Sequence, residues 1–123
     1  ERAALGYLHG NCGHCHADPA ATTAAVPVGI VLAQDVLSPA ATAKVMRSLL
    51  DAPSRFVPSG RTTAAPVVAP GDSSNSVLPL RMRSRNPQVQ MPPLGTAIAD
   101  PAGLALIERW IDHDLPSTQE HQP

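Results

Sequence analysis

The chain has 123 residues, with nine Lys plus Arg against ten Asp plus Glu and a formal net charge of −1, a balance that suits one domain and offers no basic field to nucleic acid or an acidic membrane surface. Fourteen prolines, eight glycines and a single Trp110, Tyr7 and Phe56 leave the core short of large rings, so apolar bulk must come from small aliphatics or from a group that is not protein. No apolar stretch approaches the roughly 20 residues that a membrane span needs.

In chain order, the first twelve residues read as a short helix, with Ala4, Leu5, Leu8 and Cys12 on one stripe. Pro19, Pro27 and Gly29 then mark a loop. Ser38 before Pro39 is a helix start, and Val45, Met46, Leu49 and Leu50 form one side of the helix that follows, up to Pro53. Prolines 53, 58, 66 and 70 predict a long connection without regular structure, of the kind that wraps a ligand or meets a neighbour. Asp72, Ser73 and Ser74 offer caps to a helix through NSVLPLRMRSRN, in which Pro79 lies in the first turn or bends the element. The last helix is the clearest, with Asp100 as cap, Pro101 as first residue, and Leu104, Ile107, Trp110 and Ile111 as its apolar face. No run alternates as a strand should, so we expect an all-α fold of three to four helices joined by proline-rich loops. Residues 1–115 are expected to form the domain and 116–123 a frayed polar tail.

One string carries chemistry. Cys12-Gly13-His14-Cys15-His16 has the C-x-x-C-H spacing of a haem c attachment site: two thiols three residues apart each add to one vinyl group of a single porphyrin, and the next histidine supplies an axial ligand. A structural zinc site needs four ligands, and no second cysteine pair exists, while His113 and His121 lack finger spacing. A redox dithiol expects a strand before the motif in a βαβ setting. A disulfide across two residues would be strained and would close almost no loop.

Beyond that string, NCGHCH after a short helix, PGDSSNSVLPLRM, and QMPPLG followed by IADPAGLALIERWI together resemble the small bacterial class I-type monohaem cytochrome c domain, closest to modules with a C-terminal M-P-P-L-G loop and a W-I helix. The resemblance covers residues 1–32 and 70–114. It implies a cytochrome c-like helical fold around one haem, thioethers at Cys12 and Cys15, His16 as proximal ligand and Met91 as distal ligand, with Pro92 and Pro93 stiffening the loop around the sulfur. It further implies that the backbone carbonyl of Pro27 accepts the proton on the far nitrogen of the His16 ring, and that Ile30 and Leu32 pack on the porphyrin edge. It also places Gly6 where the first helix crosses the last, with Tyr7 or Leu8 meeting Trp110.

Competing roles stand beside these. Met82 and Met46 lie in helices and read as core filler, Met82 being the second choice as ligand. His9 and His113 offer bis-histidine ligation, but each reads better as solvated surface, and His14 has no assigned role. Arg81, Arg83 and Arg85 read first as solvated helix surface; Arg81 is the best candidate for a haem propionate. The lysine-rich rim of some cytochromes c is missing, so strong cationic steering is not indicated.

The function expected from this pattern is one-electron transfer by a covalently held haem with His and Met ligands, as a free carrier or a relay within a larger complex, with redox proteins or other subunits as partners. The location expected is the periplasm or another extracytoplasmic compartment, alone or with a membrane complex. Glu1 at the start is read as following a removed export signal or as a module of a longer protein. The alternative is a haem enzyme or sensor whose open distal site binds peroxide or a gas.

Overall fold

The computed structural model describes residues 1–17, 29–33, 38–50, 52–93 and 96–115. The described residues are all-α: they form four α-helices, α1 (Arg2–Cys12), α2 (Pro39–Leu49), α3 (Val77–Arg83) and α4 (Pro101–Arg109), and no strand. Two compact units divide it, Glu1–Leu49 and Leu50–Pro123.

In the first unit, α1 buries Ala4, Leu5 and Leu8, three of the four residues on the stripe expected from the sequence. Gly6 is exposed, and a Cβ added there would meet nothing within 4 Å. The Ser38 hydroxyl accepts the Ala41 N–H at 3.3 Å, the cap anticipated ahead of Pro39. From there α2 turns Val45 and Leu49 inward. Between the helices runs a buried strip, Val31 and Leu32, with Ile30 half-buried. Ser48 ties this strip to α2 by accepting the Val31 N–H at 3.1 Å, and its hydroxyl lies 3.1 Å from the Val31 carbonyl.

The second unit opens on the proline-rich connection, irregular as expected apart from isolated bridges joining Leu50 to Val68 and Pro53 to Pro66. Asp72 caps a short 3₁₀ turn (Ser73–Asn75), accepting the Asn75 N–H at 3.1 Å. The helix therefore starts later than its first cap candidates suggest, because Ser76 is extended (φ −104°, ψ 129°). That serine is buried, and its hydroxyl accepts the Ala69 N–H at 2.8 Å and donates to the Asp72 carbonyl at 2.8 Å. Pro79 falls in the first turn of α3, where its missing N–H has no intrahelical partner to lose.

Asp100 caps α4 through the Gly103 N–H at 3.0 Å, with Pro101 following. Ile107, Trp110 and Ile111 are fully buried, and Leu104 half-buried. The helix does not simply stop after Arg109. Its last turn, Trp110–Asp114, widens, and the Leu115 N–H reaches the Trp110 carbonyl five residues back at 3.1 Å. Asp112 on this turn accepts both the N–H (2.7 Å) and the hydroxyl (2.8 Å) of Ser73, and the Ile111 carbonyl accepts the Gly71 N–H, so the end of α4 holds the turn before α3.

Candidate functional site

The C-x-x-C-H string begins at the last residue of α1, and the backbone continues turning through it. The Cys15 N–H donates to the Cys12 carbonyl at 3.2 Å and the His16 N–H to the same carbonyl at 2.9 Å. Positions i, i+3 and i+4 of a helical turn share a face, so the two sulfurs and the imidazole are set on one side. Both cysteines are free thiols, Cys12 half-buried and Cys15 exposed. His16 is half-buried, with its Nδ1 shielded from water. Its carbonyl accepts the N–H of Leu32 (2.6 Å) and of Ala33 (3.2 Å), which fastens the strip 31–33 against the motif.

Gly13 is what admits this strip. Its backbone is ordinary helical (φ −65°, ψ −24°), so its torsions do not require glycine. Space does. A Cβ at this buried position would lie 2.6 Å from the His9 carbonyl oxygen and 3.0 Å from Ala33 Cα. The signal in the sequence was a glycine inside the C-x-x-C loop, a position where attachment alone asks for nothing in particular. Leu32 and Ala33 are thus tied to the motif, Ile30 lies next to them in the chain, and Pro27 lies outside the described residues.

Burial, and secondarily the neighbouring Cys15, pushes the Cys12 thiol up from 9.0 to about 11. An attacking thiol of a dithiol oxidoreductase is shifted the other way, often at a helix N-terminus, whereas Cys12 closes the carbonyl end of α1. Among the described residues no three His, Cys, Asp or Glu side chains gather as a metal site would require.

Met91 belongs to a second construction, built within the second unit. It is half-buried in the loop after α3. Its N–H donates to the Arg81 carbonyl at 3.0 Å, and its carbonyl lies 3.4 Å from Arg85 Nη2. Met82 is buried in the core face of α3 and packs as filler, and Met46 is half-buried on α2. His9, His14 and His113 are exposed, consistent with surface roles.

The three arginines of RMRSRN differ, although the sequence treats them alike. Arg83 is exposed and pairs with Glu108 of α4. Arg81 is half-buried: its Nε donates to the Val89 carbonyl at 2.8 Å and its guanidinium carbon sits 5.1 Å from the centroid of the Phe56 ring. Burial lowers its pKa from the ordinary value, and a guanidinium remains charged nonetheless. Arg85 is half-buried and donates to Thr96 Oγ1 and to the Met82 carbonyl, each at 2.6 Å. Solvated surface therefore describes Arg83 alone, and the roles of Arg85 and Thr96 were not visible in the sequence.

The residues at the motif fit a covalent haem. Two free thiols at the right spacing stand beside a histidine on the same face, and a glycine with no room for a Cβ brings an apolar strip against them. No family model, no curated protein and no solved structure matches this chain.

Proposed function

We propose that this chain holds one haem c through Cys12 and Cys15, with His16 and Met91 as axial ligands, and passes single electrons between redox partners outside the cytoplasm. The observation that carries the reading is the turn itself: both thiols are free, and the Cys12 carbonyl accepts from Cys15 and from His16, so the three donors occupy one face. Cys12 and Cys15 would each add across one vinyl double bond, forming a carbon–sulfur bond while the thiol hydrogen passes to the adjacent carbon, so no oxidant would be needed. The imidazole of His16 supplies the proximal nitrogen, and Leu32 and Ile30 exclude water beside it. Met91 supplies the second ligand on the strength of its place in the QMPPLG loop. When bound, the haem provides the ferrous/ferric couple, and its cytochrome c-like setting with a thioether ligand favours the reduced form over bis-histidine ligation. With His16 and Met91 both holding the iron, the chain would leave no vacancy for a substrate, which suits a carrier or a relay subunit better than an enzyme.

The test is mass spectrometry under denaturing conditions on protein made in a host that matures c-type haem. One haem should remain attached, and Cys12→Ser with Cys15→Ser should abolish attachment. In the ferric protein, the weak near-infrared band of methionine sulfur on iron should be present and should vanish in Met91→Ala. Haem that dissociates on denaturation would overturn the reading, and a band that survives Met91→Ala would overturn the ligand assignment.

A further inference from the structure

We infer that Arg85, seconded by Arg81, is a positioning residue that clamps the backbone of the Met91 loop; the inference rests on Met91 being the axial ligand proposed above. Met91 is held at both of its backbone polar groups by the same short stretch. Its N–H reaches the Arg81 carbonyl at 3.0 Å and its carbonyl lies 3.4 Å from Arg85 Nη2. The same Nη2 donates to the Met82 carbonyl at the end of α3, while Nη1 reaches across to Thr96 Oγ1 beyond the loop. Arg81 adds a bond from Nε to the Val89 carbonyl, two residues before the methionine.

A guanidinium suits this work because its donors lie in one rigid plane and can serve carbonyls on several segments at once. The Arg85 Nε is buried with no partner among the described residues, so the head group has given up water on that side and is held by the loop. With the Met91 backbone fixed, only its side-chain torsions remain to be ordered when the sulfur binds a metal, and less entropy opposes the bond. Losing the clamp should therefore weaken the sulfur–iron bond without removing the sulfur.

Imidazole titration of the ferric haem-loaded protein, followed by the methionine–iron band, reads this directly, since imidazole must displace the thioether. Arg85→Ala should lower the imidazole midpoint roughly tenfold, the equivalent of one charge-assisted hydrogen bond. Arg85→Lys keeps the charge but not the planar fork, and should fall to within about threefold of Arg85→Ala rather than restore the native midpoint. Arg83→Ala, at the last residue of α3 and paired with Glu108, should leave the midpoint unchanged. If Arg85→Ala does not load haem, Thr96→Val carries the test, with a shift in the same direction of roughly threefold expected for one neutral hydrogen bond. A native midpoint in Arg85→Ala, or in Thr96→Val where that variant stands in, overturns the clamp. Absence of the band from the unmodified protein is a different result, and overturns the Met91 assignment together with the clamp that depends on it.

Discussion

The segments that carry the two expected ligands are held differently, one by backbone bonds alone and the other by a backbone bond with arginine side chains added. Around His16 the backbone organises itself: the Cys12 carbonyl accepts twice from the motif, the His16 carbonyl accepts twice from the strip 31–33, and a glycine supplies clearance. Around Met91 a backbone bond from its N–H to the Arg81 carbonyl is joined by side chains, with two arginines reaching from α3 and just past it to the Val89 and Met91 carbonyls. A site organised by local backbone follows from a few adjacent residues. One organised by long side chains depends on where those chains turn, which only the packed structure decides.

Substitutions can break or sharpen this contrast. The largest effect should come from Met82→Ala, which empties a buried position on α3 and should cost ~2–5 kcal/mol in urea unfolding of the haem-free chain. Met91→Ala in the same chain should cost far less, and equal losses would mean that the two methionines share a packing role. Gly13→Ala should destabilise by roughly 1–3 kcal/mol through overpacking against His9 and Ala33, whereas Gly10→Ala, where an added Cβ meets nothing within 4 Å, should stabilise α1 by about 0.5–1 kcal/mol. If both glycine variants gain stability, the clearance at Gly13 is not what holds the strip.

Removing the Ser48 hydroxyl should cost about 1 kcal/mol and speed amide exchange at Val31, its partner on the strip. Smaller again is the contribution of the Cys12 thiol, which is half-buried and partly screened by solvent. Its folded pKa is raised, so its stabilising effect is complete below the ordinary value of 9.0 and is lost as pH climbs through about 11. Cys12→Ala in the haem-free chain should flatten the fall in stability across that window, and an unchanged slope would exclude the thiol as its source. Arg83→Ala should be the smallest, within about 0.5 kcal/mol, because its pair with Glu108 is largely exposed.

Much of the helical layout was legible because its signals are local. Ser38–Pro39 and Asp100–Pro101 each place a capping oxygen and a proline where a first turn wants them, and α2 and α4 begin there. The C-x-x-C-H string could be read for the same reason. Ser76 could not, since its extended backbone is set by ties to Ala69 and Asp72, and it delays α3 beyond the earlier cap candidates. Three arginines two residues apart look equivalent in sequence. They diverge because one faces Glu108 in water, one stacks on Phe56 from a distant loop, and one lies past the helix end where carbonyls converge.

The widened turn at the end of α4 bears on how this chain tolerates changes in length. On an ordinary helix Trp110 and Leu115 would point ~140° apart, yet across the widened turn that joins the Leu115 N–H to the Trp110 carbonyl both are buried. Deleting the exposed His113 would leave four residues between successive inward positions, the normal pitch, with the same tryptophan and leucine facing the core. If the widened turn tolerates the loss of one residue, the shortened variant should unfold at nearly the same urea concentration as the parent; a marked drop would show that the extra residue is structurally required.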